Sequence, residues 1–180
     1  MAATQLYRGG SYQFALDGRA LSAEQLHAML LRWIERYPIV SIEDPFAEHD
    51  AKAMRAFTEA AGIQVVGDDF FVTDVEKLRN AQGACNAILL KPNQVGTVSE
   101  TLACWDAARA MGYGAIVSAR SGETEDVSIV HLAVGWGVPQ LKVGGFSRSE
   151  RMAKWNEGLR IEEALGGKAL PYPARKLFKR

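Results

Sequence analysis

The sequence predicts an α/β chain built on a parallel β-sheet, with about five consecutive βα units behind a short N-terminal hairpin. Three observations carry this. First, five polar residues close short apolar runs: Glu43 ends IVSIE, Asp68 ends QVVGD, Lys91 ends AILLK, Ser118 ends AIVS and Lys142 ends QLK. The gaps between them are 25, 23, 27 and 24 residues, about what a strand, a loop and a helix consume together. Second, the runs are continuously apolar rather than alternating, as strands are when both faces are covered. Third, helix-start signals follow the runs in the order strand, short loop, cap, helix.

The elements can be justified in turn. Leu6 to Phe14, with Gly9-Gly10 inside, reads as a small hairpin. Ser22-x-x-Gln25 fits a capping box, and Leu21 with Leu26 fits a hydrophobic staple. Leu26, Met29, Leu30, Trp33 and Tyr37 then keep helical spacing until Pro38 stops the helix. A second helix runs from about Asp50 to Ala61 and ends at Gly62. Thr73-x-x-Glu76, Thr97-x-x-Glu100 and Ser147-x-x-Glu150 mark further starts, with helices over about 74–82, 98–111, 125–134 and 148–164. The domain extends over 1–165, and 166–180, including PYPARKLFKR, reads as a loose tail. A closed βα barrel takes eight units. Five allow an open sheet or one part of a barrel.

A chain of 180 residues suits one domain with a sizeable core. Lys+Arg equals Asp+Glu at 21 each, so there is no basic excess of the kind a nucleic-acid binder carries. No apolar run approaches the ~20 residues of a membrane helix. MAATQLYRGG lacks the charged and apolar regions of a signal peptide, which leaves the cytoplasm as the expected location. Cys85 and Cys104 have no metal-type spacing and read as buried thiols.

In a parallel α/β fold the carboxyl ends of the strands are where active sites are built. Glu43 and Asp68 end neighbouring strands, each followed by a second acid, Asp44 and Asp69. Carboxylates so placed suit a hard cation such as Mg²⁺. They also suit capping or ion pairing by loop acids. Lys91 closes the most apolar strand, and Pro92 keeps it extended. Partial burial and a positive neighbour, which Lys142 could supply, lower the pKa of such a lysine. One tuned to roughly 7–8 serves as a general base. A salt bridge at the strand end is the plainer alternative. Ser118, Arg120, Ser121 and Gly122 place two hydroxyls and a guanidinium where a strand opens into a loop, which suits a phosphate. Glu123, Glu125 and Asp126 then favour the start of the next helix. No GxGxxG or P-loop pattern is present. A divalent cation, a lysine base and a cationic pocket together fit proton abstraction beside a carboxylate. His27, His49 and His131 lie away from the strand ends, and Trp105, Trp136 and Trp155 read as packing residues.

YPIVSIEDPF, VGDDFFVT, ILLKPNQVGTVSET, SARSGETED and LKVGGFSRSERMAKWNEGLRIEEAL resemble, in order and over nearly the whole chain, the C-terminal barrel of enolase (phosphopyruvate hydratase). SIEDP, KxNQxGT and RSGETED are the most specific of these motifs. The resemblance implies a partial TIM-type βα barrel. It also implies a cytoplasmic, glycolytic lyase that interconverts 2-phosphoglycerate and phosphoenolpyruvate with Mg²⁺. By the same resemblance Glu43 and Asp68 are metal ligands beside the substrate, and Lys91 is the base that removes the α-proton. Arg120 and Ser121 bind phosphate, with Ser118 in the same loop, and Lys142 contacts the substrate carboxylate.

The departures from the family are as specific. Ala119 stands where the family usually has histidine, so one contact to substrate is missing. Ala2 to Tyr7 matches the stretch that follows the third metal ligand, an aspartate, and that aspartate lies outside the sequence. So do the glutamate that protonates the departing hydroxyl and the N-terminal domain. Three expectations therefore stand side by side. The chain is an enolase-type lyase, homo-oligomeric or complemented by an N-terminal enolase part. Alternatively, Ala119 marks a homologue acting on a different phosphorylated carboxylate. The third is a non-catalytic truncated or interaction fragment.

Overall fold

The computed structural model describes residues 1–166, so the expected tail lies, but for Gly166, outside the described residues. After a 3₁₀ turn over Ala3–Leu6, the chain forms a small antiparallel sheet in the order β1 (Tyr7–Arg8), β2 (Ser11–Phe14), β3 (Arg19–Leu21). The hairpin is present, and the structure adds a third strand. A 3₁₀ turn over Ala15–Asp17 and Gly18, at φ 60°, reverse the chain into it.

Helix α1 (Ala23–Arg36) starts on the predicted capping box: Ser22 Oγ accepts from the Gln25 N–H, and Gln25 Oε1 accepts from the Ser22 N–H. Its inner face buries Leu26, Met29 and Leu30. Trp33 and Tyr37 continue the helical spacing but remain 40% and 47% exposed.

The βα units follow: β4 (Ser41–Glu43), α2 (Ala51–Ala61), β5 (Gln64–Gly67), α3 (Val75–Asn80), β6 (Ala87–Leu90), α4 (Pro92–Val95), α5 (Val98–Ala110), β7 (Gly114–Ser118), α6 (Ser128–Gly135), β8 (Gln140–Lys142) and α7 (Ser149–Ala164). Two expected caps are corrected. Asp74, not Thr73, caps α3, its carboxylate accepting from the Glu76 and Lys77 N–H groups, because Val72 and Thr73 both take left-handed φ (48° and 59°). Helix α7 begins after Arg148 with no side-chain cap, so Ser147 does not start it. Thr97 does cap α5, accepting from the Glu100 N–H. The short α4 was not foreseen.

The five strands β4 to β8 form one parallel sheet in chain order. The interior strands β5 and β6 are buried along their whole length, as their apolar runs require. In a flat sheet β4 and β8 would stand about 19 Å apart, at ~4.8 Å per strand. Instead Lys142 Nζ lies 2.7 Å from Glu43 Oε1, and Gln64 Nε2 donates to Gln140 Oε1 at 2.7 Å. The sheet is therefore curled into a partial TIM-type barrel, five strands of the eight that closure takes.

Period-two alternation sorts the side chains. Ile42, Val65, Ile88, Leu90, Ala115 and Val117 join the large core beneath the helices. Val66, Ala87, Leu89 and Ile116 form a small cluster on the concave side. Glu43, Asp68, Lys91, Ser118 and Lys142 share the parity of that second set, so all five belong to the concave face. Among the described residues no helix is long and apolar enough to cross a membrane.

Candidate functional site

The strand register brings the row together. Leu90 pairs with Val117, and Ser118 pairs with Lys142, so Lys91, Ser118 and Lys142 finish level with one another. Lys91 Nζ donates to both Asp68 oxygens, at 2.5 and 2.7 Å. Both side chains are 10% exposed. Lys142 Nζ donates to both Glu43 oxygens, at 2.7 and 2.9 Å, and lies 3.9 Å from Asp68 Oδ2. Each lysine thus has a carboxylate as its near neighbour, with Asp68 standing between the two ammonium groups.

The acids are held by backbone. Asp44, at φ 42°, is buried. Its Oδ1 accepts from the Asp68 N–H at 2.9 Å and its Oδ2 from the Asp69 N–H at 2.8 Å. Burial pushes the Asp44 carboxyl up to about 6, against the pull of those two N–H groups. Asp44, Asp68 and Asp69 bring carboxylate oxygens within 4.8 Å of one another. Both oxygens of Asp44 are engaged by N–H groups and both of Asp68 by the Lys91 ammonium, while Lys142 Nζ lies 2.7 Å from Glu43 Oε1 and 3.9 Å from Asp68 Oδ2. Carboxylates grouped in this way could hold a hard cation such as Mg²⁺.

Lys91 is fixed from behind. Its backbone N–H donates to Thr73 Oγ1 at 3.0 Å, and that hydroxyl also lies 3.3 Å from the Leu89 carbonyl and 3.2 Å from Gln94 Oε1. Thr73, offered by the sequence as a helix cap, is instead the buried support of the lysine strand end.

On the far side, the Ser118 hydroxyl is buried and donates to the Ala119 carbonyl at 2.8 Å, so it is turned to the backbone. The Ala119 N–H donates to the Lys142 carbonyl at 2.9 Å and extends the β7–β8 pairing. Arg120 and Ser121 are exposed. The Arg120 guanidinium donates to the Asn93 carbonyl at 3.0 Å. A cleft of about 450 Å³ opens here, lined by Lys91, Arg120, Lys142, Arg148 and Arg151 against the single acid Asp69. Such a lining attracts an anionic ligand.

The structure thus gathers Glu43, Asp68, Lys91 and Lys142 into one cluster and sets Arg120 and Ser121 at its rim. Arg151 and Lys154 escaped the sequence reading. They lie in the SERMAK stretch of a polar helix with nothing in the sequence to set them apart, yet they are 5% and 0% exposed. The histidines stay outside the site: His27 packs edge-on against Phe46 and Phe57, His49 against Tyr7, and His131 meets Glu157. Cys85 and Cys104 are free and buried.

The model of one protein family, described as "Enolase, C-terminal TIM barrel domain", matches residues 1–180. "Enolase 1" of Desulfitobacterium hafniense (strain Y51) is 47% identical over 173 residues, which cover 94% of this chain and 39% of that relative. The chain therefore spans about two-fifths of the length of the curated relative it matches.

Proposed function

The chain belongs to the enolase family, and on that footing we propose that it carries the base and anion-binding side of a lyase site. The site takes Mg²⁺ and interconverts 2-phosphoglycerate and phosphoenolpyruvate in cytoplasmic glycolysis. The supporting observation is the juxtaposition on one concave face of Lys91, Asp68, Lys142 and Glu43 at the mouth of a cation-lined cleft.

Lys91 Nζ, as the free amine, accepts the C2 proton of 2-phosphoglycerate, and Asp68, already at hydrogen-bond distance, receives the ammonium that results. Glu43 and Asp68 would hold Mg²⁺, which when bound offsets the negative charge that builds on the substrate carboxylate. Lys142 stands where it can meet the same carboxylate, and Arg120 with Ser121 can meet the phosphate across the cleft. The Ser118 hydroxyl belongs to the same loop and helps fix it by donating to the Ala119 carbonyl. In this reading the group that protonates the departing hydroxyl belongs to an N-terminal enolase part.

Exchange of the C2 proton of 2-phosphoglycerate with D₂O, followed by proton NMR in the presence of Mg²⁺, tests the assignment. Exchange by the wild-type chain with a complementing N-terminal part, abolished in Lys91→Ala, supports it. Exchange that survives Lys91→Ala, or that never occurs with wild type, overturns it. Glu43→Gln should weaken Mg²⁺ binding in calorimetry, and an unchanged affinity would remove Glu43 from the ligand set.

Ala119 favours a second reading. It lines the cleft and offers no side-chain donor, so a substrate other than 2-phosphoglycerate, still a phosphorylated carboxylate, fits this rim. Robust turnover of 2-phosphoglycerate with Ala119 in place would remove the motive for it.

A further inference from the structure

We propose that Arg151 and Lys154 are positioning residues that set the distance between the Arg120–Ser121 rim and the Lys142 strand end. The proposal rests on the anion-binding reading of that rim. The two cations lie three residues apart on α7, and therefore on one face of it. Both are buried, and a buried charge is costly unless hydrogen bonds meet it. Here they are met mainly by backbone carbonyls.

Arg151 Nη1 donates to the Val143 carbonyl at 2.9 Å, and its Nη2 to those of Arg120 and Ser121 at 2.8 and 3.1 Å. One planar guanidinium thus bridges the loop after β7 and the residue after Lys142. Lys154 Nζ donates to the Thr124 carbonyl at 2.8 Å and to the Glu150 carbonyl at 3.0 Å, and lies 3.2 Å from Glu123 Oε2. Glu123 closes the loop on itself, since its Oε1 accepts the Arg120 N–H at 2.7 Å.

The geometry follows from these bonds. The carbonyls of Arg120, Ser121 and Thr124 are drawn toward α7, while the Arg120 and Ser121 side chains remain exposed beside the cleft. Gly144, at φ 101°, lets the chain pass over Arg151, where a Cβ would stand 3.6 Å from the Arg151 side chain. Helix α4 also touches the loop, through the Arg120 guanidinium on the Asn93 carbonyl at 3.0 Å and Asn93 Nδ2 on Glu123 Oε1 at 3.4 Å, whereas Arg151 ties that loop to Val143. A fork with a fixed spacing between its donors is suited to hold two segments at a fixed separation. That separation is what a ligand with an anionic group at each end would sense.

The test uses the full chain, inorganic phosphate as probe, calorimetric titration well below the melting temperature, and amide hydrogen exchange. Arg120→Ala, the control for the anion reading, should weaken phosphate binding. Arg151→Met and Lys154→Met should weaken it about tenfold, the effect of losing roughly one charge-assisted hydrogen bond's worth of order. They should also quicken exchange across 120–124 while leaving the β6 amides protected. Glu123→Gln keeps an acceptor for the Arg120 N–H and removes the charge facing Lys154. It should give a smaller change of the same kind, and it serves if either methionine variant fails to fold. Wild-type affinity and loop exchange in the folded variants, with only a lowered melting temperature, would overturn the proposal and leave a plain structural role. If wild type binds no phosphate, or Arg120→Ala binds as wild type does, the anion reading fails instead. The positioning role is then decided by loop exchange alone: faster exchange upholds it and unchanged exchange rejects it.

Discussion

The two ion pairs on the concave face differ in what holds them. Lys91–Asp68 joins the ends of two neighbouring interior strands, β5 and β6, and both side chains are 10% exposed. Behind it, Asp44 accepts the Asp68 N–H and Thr73 accepts the Lys91 N–H, so the positions of both partners are set by backbone. Lys142–Glu43 joins the two outer strands, β4 and β8, with side chains 46% and 28% exposed. No strand pairing ties those strands to each other. The inner pair is suited to a group that must keep its place, such as a base. The outer pair is suited to groups that part when a cation or a carboxylate comes between them.

The largest test of this contrast is Lys91→Met. It leaves the Asp68 carboxylate without its ammonium and should cost about 3–5 kcal/mol in urea unfolding, as removal of one partner of a buried pair does. A loss below ~1 kcal/mol would place the inner pair in the same class as the outer one and end the comparison. Thr73→Val, isosteric and equally β-branched at φ 59°, removes only the hydroxyl that meets the Lys91 N–H. It should cost about 1–3 kcal/mol by the same measurement, and no loss would show that Lys91 needs no support from behind. Gly144→Ala probes the outer side, where φ 101° disfavours a side chain. A loss of ~1–2 kcal/mol is expected, and a neutral change would mean that this turn relaxes freely. Smallest is Lys142→Met, at about 0.2–1 kcal/mol, shrinking as salt is added. A larger, salt-independent loss would show that the outer pair is as fixed as the inner one.

Much of the site was legible because each strand end is announced by an apolar run closed with a polar residue. Glu43, Asp68, Lys91, Ser118 and Lys142 were located that way, and parity puts all five on one face. What escaped depends on tertiary facts. Thr73 matches a capping box by spacing, but two successive left-handed residues, Val72 and Thr73, turn its hydroxyl toward Lys91 and hand the cap to Asp74. Arg19–Leu21 is too short to show a period, and it forms a strand because β2 lies beside it. Trp33 and Tyr37 fit the apolar stripe of α1, yet they extend beyond what the core covers. Arg151 and Lys154 carry no signal in the sequence, because what buries them is the 120–124 loop folded over them. The Ser118 hydroxyl, read with its loop as suited to a phosphate, donates to its neighbour's carbonyl, a bond that no sequence pattern announces.

The contacts that reveal the curl also order events in time. Neighbouring strands pair across stretches of about 25 residues, such as Ser41 with Gln64, whereas Gln64–Gln140 and Glu43–Lys142 close loops of 76 and 99 residues. Closing the longest costs about 1 kcal/mol more chain entropy than closing a neighbouring pair. Sheet growth from strand to strand is therefore expected to precede bending, with the Glu43–Lys142 contact among the last to form. Variants at Lys142 should accordingly change the unfolding rate and leave the folding rate nearly untouched. A chain arrested before that step would have its strands paired and its strand-end polar groups still spread along an uncurled ribbon.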